Sequence, residues 1–286
     1  MLSNKVQEIM TTHLTVAAAT ASVYDVVQQM IAEDVGRIVI TDNEVPVGVF
    51  TEKDVLKRVV NTGLDTRHTR IKDVMTAPIR AVSEETHIVD AFGRMYKGKF
   101  RHLLVRGRRG RIVGILSMRR ILKIAVELGQ GLTESQTLGT ITSSAAICVA
   151  PSATITSAID ILLKTAASSV VVGTPDRALG IFTERDVLKR VAVSDFDKKL
   201  TEIKEVMTSP VVVLPHTTLV GDALAEMYRR DIRNLPVSGD NGALMGILSM
   251  PDILRYASAF DVDEQVRRTW KEVAEYLDND SQYTPG

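Results

Sequence analysis

Four short segments carry the residues best suited to chemistry. GVFTEKDV (48–55), GILSMRRI (114–121), GIFTERDV (180–187) and GILSMPDI (246–253) each begin 66 residues after the one before. Three of them set a hydroxyl three residues ahead of an acid: Thr51 with Asp54, Thr183 with Asp186, and Ser249 with Asp252. A hydroxyl followed by an acid at that distance marks a helix start, with the hydroxyl as cap and the acid in the first turn, where the helix dipole favours negative charge. Such a terminus offers free N–H donors and an ionised acceptor side by side, which suits an oxygen-rich ligand. The bland reading of the same acids is a dipole-stabilised first turn, contributing about 0.3–1 kcal/mol. In the second segment the acid is replaced by Arg120.

Positive charge is concentrated in one stretch. From Arg94 to Lys123 there are eleven Lys/Arg (94, 97, 99, 101, 106, 108, 109, 111, 119, 120, 123) and no Asp or Glu, although the whole chain has a formal net charge of +0. Such a field faces something anionic. Arg101 and His102 open the strand RHLLV, and Lys97 and Lys99 add charge suited to phosphates. RGRRGR (106–111) falls in the turn after that strand, a solvated loop by default and a contact for nucleic acid, another polyanion or an acidic partner in the sharper reading. No aromatic interleaving or DNA-reading motif accompanies it.

Other chemistries find no support. The chain has no G-x-x-x-x-G-K-[ST], H-E-x-x-H or G-x-S-x-G, and no motif holds the paired carboxylates of acid–base catalysis, so no enzymatic activity is expected. His13, His68, His87 and His216 lack metal-ligand spacing. Cys148 is the single cysteine, which excludes internal disulfides. No apolar run approaches the roughly 20 residues needed to span a bilayer, and the first residues lack an apolar signal core, which points to the cytoplasm.

The elements that position these segments repeat with them. VQEIMT (6–11), IKDVMT (71–76), LGTITS (138–143) and IKEVMT (203–208) precede the four segments at nearly constant distance, so a unit of about sixty residues occurs four times. In the first unit an extended piece, Leu14 to Val16, leads to an amphipathic helix bearing Val23, Val26, Val27, Met30 and Ile31. Strands RIVI (37–40) and VGVF (47–50) follow around a turn at Asp42-Asn43-Glu44, and a second helix starts at Thr51. The order is β-α-β-β-α. A unit this small exposes an apolar face and must pack on a second copy. Units one and three share TEKDVLKRVV and TERDVLKRVA, while units two and four share GILSM, so the units form two pairs joined at GQGLTESQT (129–137). The tail from Asp261 reads as a capped amphipathic helix with seven acidic residues against three basic ones up to Asp280, able to pack back on the chain or on another subunit.

A repeated β-α-β-β-α unit with V-M-T near its start and G-h-h-[ST]-x-x-D-h (h, apolar) near its end resembles the cystathionine-beta-synthase (CBS) motif, over residues from about 5 to 258. The resemblance implies an α/β (α+β) fold of four CBS units paired into two Bateman modules: residues 1–130 (motifs 5–62 and 70–127) and 131–258 (motifs 137–194 and 202–258), followed by a helical tail, 259–286. Each module of this family has two clefts that commonly bind AMP, ADP, ATP or S-adenosylmethionine. The motif Asp holds the ribose hydroxyls and the partner motif supplies base and phosphate contacts.

Carried over by position, the first cleft uses Thr51, Lys53 and Asp54 with Thr76, Ile79, Arg101 and His102, and is the best equipped. Its counterpart uses Thr183, Arg185 and Asp186 with Thr208, Val211, Arg233 and Asn234. The fourth motif keeps Ser249 and Asp252, faced by Ser168 and Ser169 in place of a cation. In the Asp-less cleft, Arg120 either leaves the space empty or reaches toward phosphates in the first cleft, with Arg37 as second donor. The plan is similar to the gamma subunit of AMP-activated protein kinase. The resulting expectation is a non-catalytic regulatory protein that senses cellular energy, changing module geometry on binding AMP, ADP or ATP, with an effector protein or second subunit as reader, and with either two modules facing each other within one chain or two chains assembled into the disk-like dimer common in this family. The alternatives are a nucleic-acid-associated regulator working through residues 94–123 and an S-adenosylmethionine sensor.

Overall fold

The computed structural model describes residues 5–98, 100–121, 123, 136–142, 145–250 and 252. Most of the proposed inter-pair linker and the whole of the C-terminal helix expected from Asp261 lie outside the described residues. Within them, the strand order repeats four times: β1 (Val16–Ala18), β2 (Arg37–Asp42) and β3 (Val45–Thr51); β4 (Ala81–Ser83), β5 (His102–Arg106) and β6 (Ile112–Ser117); β7 (Cys148–Val149), β8 (Ser169–Thr174) and β9 (Arg177–Thr183); β10 (Leu214–Pro215), β11 (Asn234–Ser238) and β12 (Leu244–Ser249). Each triplet is its own three-stranded sheet, the first strand parallel to the second and the second antiparallel to the third.

Local chemistry accounts for the elements. The helix Val23–Ala32 starts after Ser22, whose hydroxyl accepts from the Asp25 N–H at 3.0 Å, and it buries Val23, Val26, Val27 and Met30 on one stripe while Ile31 stays partly covered. Helices Ile88–Lys97, Ile155–Thr165 and Val220–Arg229 occupy the same place in the other units. The first hairpin turn is tighter than its sequence suggests. Asp42 still belongs to the strand, and Asn43 and Glu44 alone turn the chain with φ of 47° and 64°, the left-handed pair that matches strand twist. The extended piece at Leu14 likewise becomes a strand only from Val16, where parallel pairing with Val39 begins.

After Thr51 the chain makes one helical turn, Glu52–Asp54, and then widens into a π-helical stretch, Val55–Val60; Glu184–Asp186 and Val187–Val191 repeat this after Thr183. Single π-turns of this kind tend to sit near functional sites.

The core is shared between alternate units. One buried cluster joins Val26, Val27, Met30, Phe50 and Val59 of the first unit to Ile155, Ile159, Phe182 and Val191 of the third. Another joins Val82, Phe92, Met95 and Leu116 of the second to Val220, Leu224, Met227 and Leu248 of the fourth. A smaller one, Val39, Leu104 and Ile115, lies between the sheets of units one and two. The facing of the two halves expected within one chain is thus realised through their helices.

The glycine that opens three of the signature segments has a steric reason. A Cβ on Gly48 would stand 2.3 Å from Met75 Sδ, on Gly114 2.7 Å from Met10 Sδ, and on Gly180 2.3 Å from Met207 Sδ. Met10, Met75 and Met207 therefore each lie against the hairpin of the neighbouring unit. The following threonine pairs its backbone there: Thr11 with Ile115, Thr76 with Val49, and Thr208 with Ile181.

Candidate functional site

That exchange brings Thr76 and Thr208 onto their neighbours' acids. Asp54 Oδ2 accepts from the Thr51 N–H at 3.0 Å and the Thr51 hydroxyl at 2.7 Å, while Oδ1 accepts from the Thr76 hydroxyl at 2.8 Å. Asp186 repeats the set with the Thr183 N–H at 2.9 Å, the Thr183 hydroxyl at 2.7 Å and the Thr208 hydroxyl at 2.6 Å. Arg58 and Arg190, one turn on, stand 3.7 and 3.5 Å from the two carboxylates. Each Asp is buried and serves as the third residue of a capping box. Three of its roughly four acceptor positions are occupied, so a ligand hydroxyl bonds there by taking the open position or by displacing a threonine hydroxyl. In the fourth unit, Asp252 Oδ2 accepts from the Ser249 N–H at 2.9 Å and from its hydroxyl.

Sheet register puts one residue opposite every cap. Arg37 faces Thr51, His102 faces Ser117, Ser169 faces Thr183 and Asn234 faces Ser249. Arg37, Arg101, His102, Ser168, Ser169, Arg233 and Asn234 line one central cavity of about 940 Å3, together with Thr183, Arg185, Asp186, Thr208, Ser249 and Asp252. The space therefore runs without a break from the acids of the second module to the cations at the centre. Thr51, Lys53, Asp54, Thr76, Ile79, Val211 and Arg120 do not line it. Ile79 packs instead beside the small core of Val39, Leu104 and Ile115. Burial, then the nearby Lys57 ammonium, holds Lys53 below the usual lysine range.

Several side chains have partners that the sequence did not suggest. Arg101 Nη2 donates to Glu184 Oε2 at 2.6 Å, and Arg233 Nη1 donates to Glu52 Oε2 at 2.5 Å, so each arginine is paired with an acid of the opposite module. Arg120 does not extend toward the first cleft: its Nε donates to the Ile9 carbonyl at 3.1 Å. Asn234 Oδ1 accepts from the Ser168 hydroxyl at 2.7 Å. Arg37 has no such pairing among the described residues. Burial first, and Arg233 second, pull its guanidinium down to about 10. Burial and the guanidinium groups of Arg37, Arg101 and Arg233 push His102 well below the ordinary histidine range, so the ring is neutral near pH 7.

The basic stretch is partly answered from within the chain. Arg101 meets Glu184, Arg108 lies 3.8 Å from Glu84 and 3.4 Å from Glu85, and Arg119 pairs with Asp231. Asp231 also binds Arg185 at 3.0 Å, Arg185 binds Asp34 at 2.7 Å, and Lys189 binds Asp34 at 2.5 Å, a chain of charge that touches all four units. Among the described residues there is no group of three or more metal-binding side chains, and no helix long and apolar enough to cross a membrane.

Known proteins share this architecture. A structure from Methanocaldococcus jannaschii, described as a candidate archaeal homologue of g-AMPK, superposes with a TM-score of 0.78 at 15% identity over 88% of this chain and 99% of its own. An uncharacterized protein from Pyrococcus horikoshii does so with a TM-score of 0.60 at 19% identity over the same 88%, covering 99% of its own length. At these identities the likeness is one of fold. The CBS domain-containing protein CBSCBSPB1 of Arabidopsis thaliana is 26% identical over 84% of this chain and 51% of itself, and the meiotically up-regulated gene 70 protein of Schizosaccharomyces pombe 25% over 87% and 42%. The chain spans about half the length, or less, of these curated relatives. The CBS domain model matches residues 6–61, 71–127, 138–193 and 203–259. With the four-fold repeat, the capped acids and these matches in agreement, the chain belongs to the CBS domain family and carries four CBS domains.

Proposed function

We propose that the chain is a regulatory, non-catalytic binding protein whose clefts take an adenine nucleotide, AMP, ADP or ATP, and whose two modules, residues 1–130 and 131–258, change their mutual geometry on occupancy. The observation that carries this reading is the unbroken cavity linking Asp186, Thr183 and Thr208 to Arg233 and Arg101. A sugar edge on the Asp186 carboxylate leaves phosphates directed to guanidinium groups, which bind them in planar, bidentate fashion. Asp54 with Thr51 and Thr76 repeats the sugar end in the first module, and Asp252 with Ser249 offers a third, with Ser168 and Ser169 opposite where a phosphate would want charge. Ligand energy reaches the rest of the molecule only through differential affinity for two arrangements of the modules.

Titration calorimetry with adenosine, AMP, ADP, ATP and S-adenosylmethionine tests it. Nucleotide binding that disappears in the Asp54→Ala/Asp186→Ala double variant is the expected result. Unchanged affinity in that variant removes the site assignment, and preference for S-adenosylmethionine over every nucleotide removes the ligand class.

A further inference from the structure

Glu52 and Glu184 occupy equivalent places, each directly after the capping threonine and two residues before the Asp. Both are buried, 2% and 8% exposed, and both line the central cavity. The hydrogen-bonded partner of each carboxylate lies in the opposite module. Glu184 accepts from Arg101 and Glu52 from Arg233, across the seam between the two pairs of units. Glu52 Oε1, although buried, has no hydrogen-bond partner. Arg101 and Arg233, which face the cavity, therefore already carry an anion from the opposite side.

We propose that Glu52 and Glu184 set the phosphate charge that the central cavity accepts, each through the arginine it holds. This rests on the nucleotide reading above. A guanidinium has five N–H donors, and the bond to the glutamate uses one of its terminal nitrogens. A phosphate can share the arginine, yet it then sits a few ångströms from a fixed negative charge in a space of low effective dielectric, where like charges repel strongly. The repulsion grows with each phosphate and is absent for a nucleoside. Both glutamates thus penalise ATP relative to AMP in the cavity that opens on Asp186, while adenosine is indifferent to both. The glutamates are specificity-determining residues that also let one module's position report on the other's ligand.

Calorimetry with adenosine, AMP and ATP tests the proposal one glutamate at a time. In an Asp54→Ala background, which leaves the Asp186 cleft to be read, Glu184→Gln is expected to raise the ratio of ATP to AMP affinity roughly tenfold and to leave adenosine unchanged. In the same background, Glu52→Gln does the same through Arg233. Should an amide disturb folding, Glu184→Asp withdraws the charge by one methylene and gives a smaller shift of the same sign. A ratio that stays put, or a common factor across all three ligands, overturns the proposal and leaves the nucleotide reading intact. A wild-type chain that binds none of the three removes both.

Discussion

The seam between the modules makes a sharp prediction about stability. Replacing Arg233 with Ala strips Glu52 of its ion-pair partner, and the Glu52 side chain is only 3% exposed, with one oxygen already unpartnered. Breaking a buried pair from one side costs about 3–5 kcal/mol, because the charge left behind is uncompensated. Arg37 stays close enough for Glu52 to influence its titration, so the lower end applies, about 3 kcal/mol. The reverse change, Glu52→Gln, leaves a guanidinium whose side chain is 30% exposed and reachable by water, and costs about 1 kcal/mol. The double variant has no orphaned carboxylate and should recover roughly 2 kcal/mol relative to Arg233→Ala. Urea unfolding followed by circular dichroism measures all four corners, with Arg233→Ala lowering the midpoint by roughly 1 M. An Arg233→Ala protein within about 0.5 kcal/mol of wild type, or strictly additive losses, would show that Glu52 is not paired across the seam.

Three further outcomes follow from other parts of the molecule. Lys189 and Arg185 hold Asp34 at about 2, below its ordinary 3.8, so the stability it contributes is complete above about pH 4 and is lost as pH falls through 2; because its side chain is 57% exposed the term is under about 1 kcal/mol, and Asp34→Asn should remove that part of an acid-unfolding curve. Imidazole NMR should find His102 uncharged well below the usual histidine midpoint, and saturating nucleotide should raise that midpoint by offsetting Arg37, Arg101 and Arg233; a ring that titrates normally without ligand contradicts the crowding of cations described here. Gly180→Ala sets a methyl 2.3 Å from Met207 Sδ and 2.9 Å from the Thr208 carbonyl, so about 1–3 kcal/mol should be lost in thermal unfolding, and Met207→Ala in the same chain should return part of it.

What could be read from the sequence was local or periodic. The 66-residue spacing, the apolar stripe of Val23, Val26, Val27 and Met30, and the capping role of Thr51 each depend on neighbours within a few positions, and each has its counterpart in the fold. Of the second-module set grouped by position within the repeat, Thr183, Arg185, Asp186, Thr208, Arg233 and Asn234 line the cavity and Val211 does not, and Asn234's bond to Ser168 did not follow from that grouping. The partners of the cations could not. Arg101 and Glu184 are 83 positions apart and Arg233 and Glu52 are 181 apart, and no pattern along the chain selects one buried acid over another at that range. Arg120 was equally opaque, since its acceptor is a backbone carbonyl at Ile9, invisible to any reading of side-chain types. The one available signal was the shared glutamate of TEKD and TERD, present in both units one and three and absent from units two and four.

Because Val26, Met30, Phe50 and Val59 are covered by Ile155, Ile159, Phe182 and Val191 from a unit more than a hundred residues away, severing the chain near residue 130 would strand an oily wall on each fragment. Two identical fragments would have the matching shape to cover it, since the walls descend from the same repeat. A half-length gene product of this kind would therefore be born as a twin, and joining two copies in tandem would turn a concentration-dependent assembly into a folding event within one molecule.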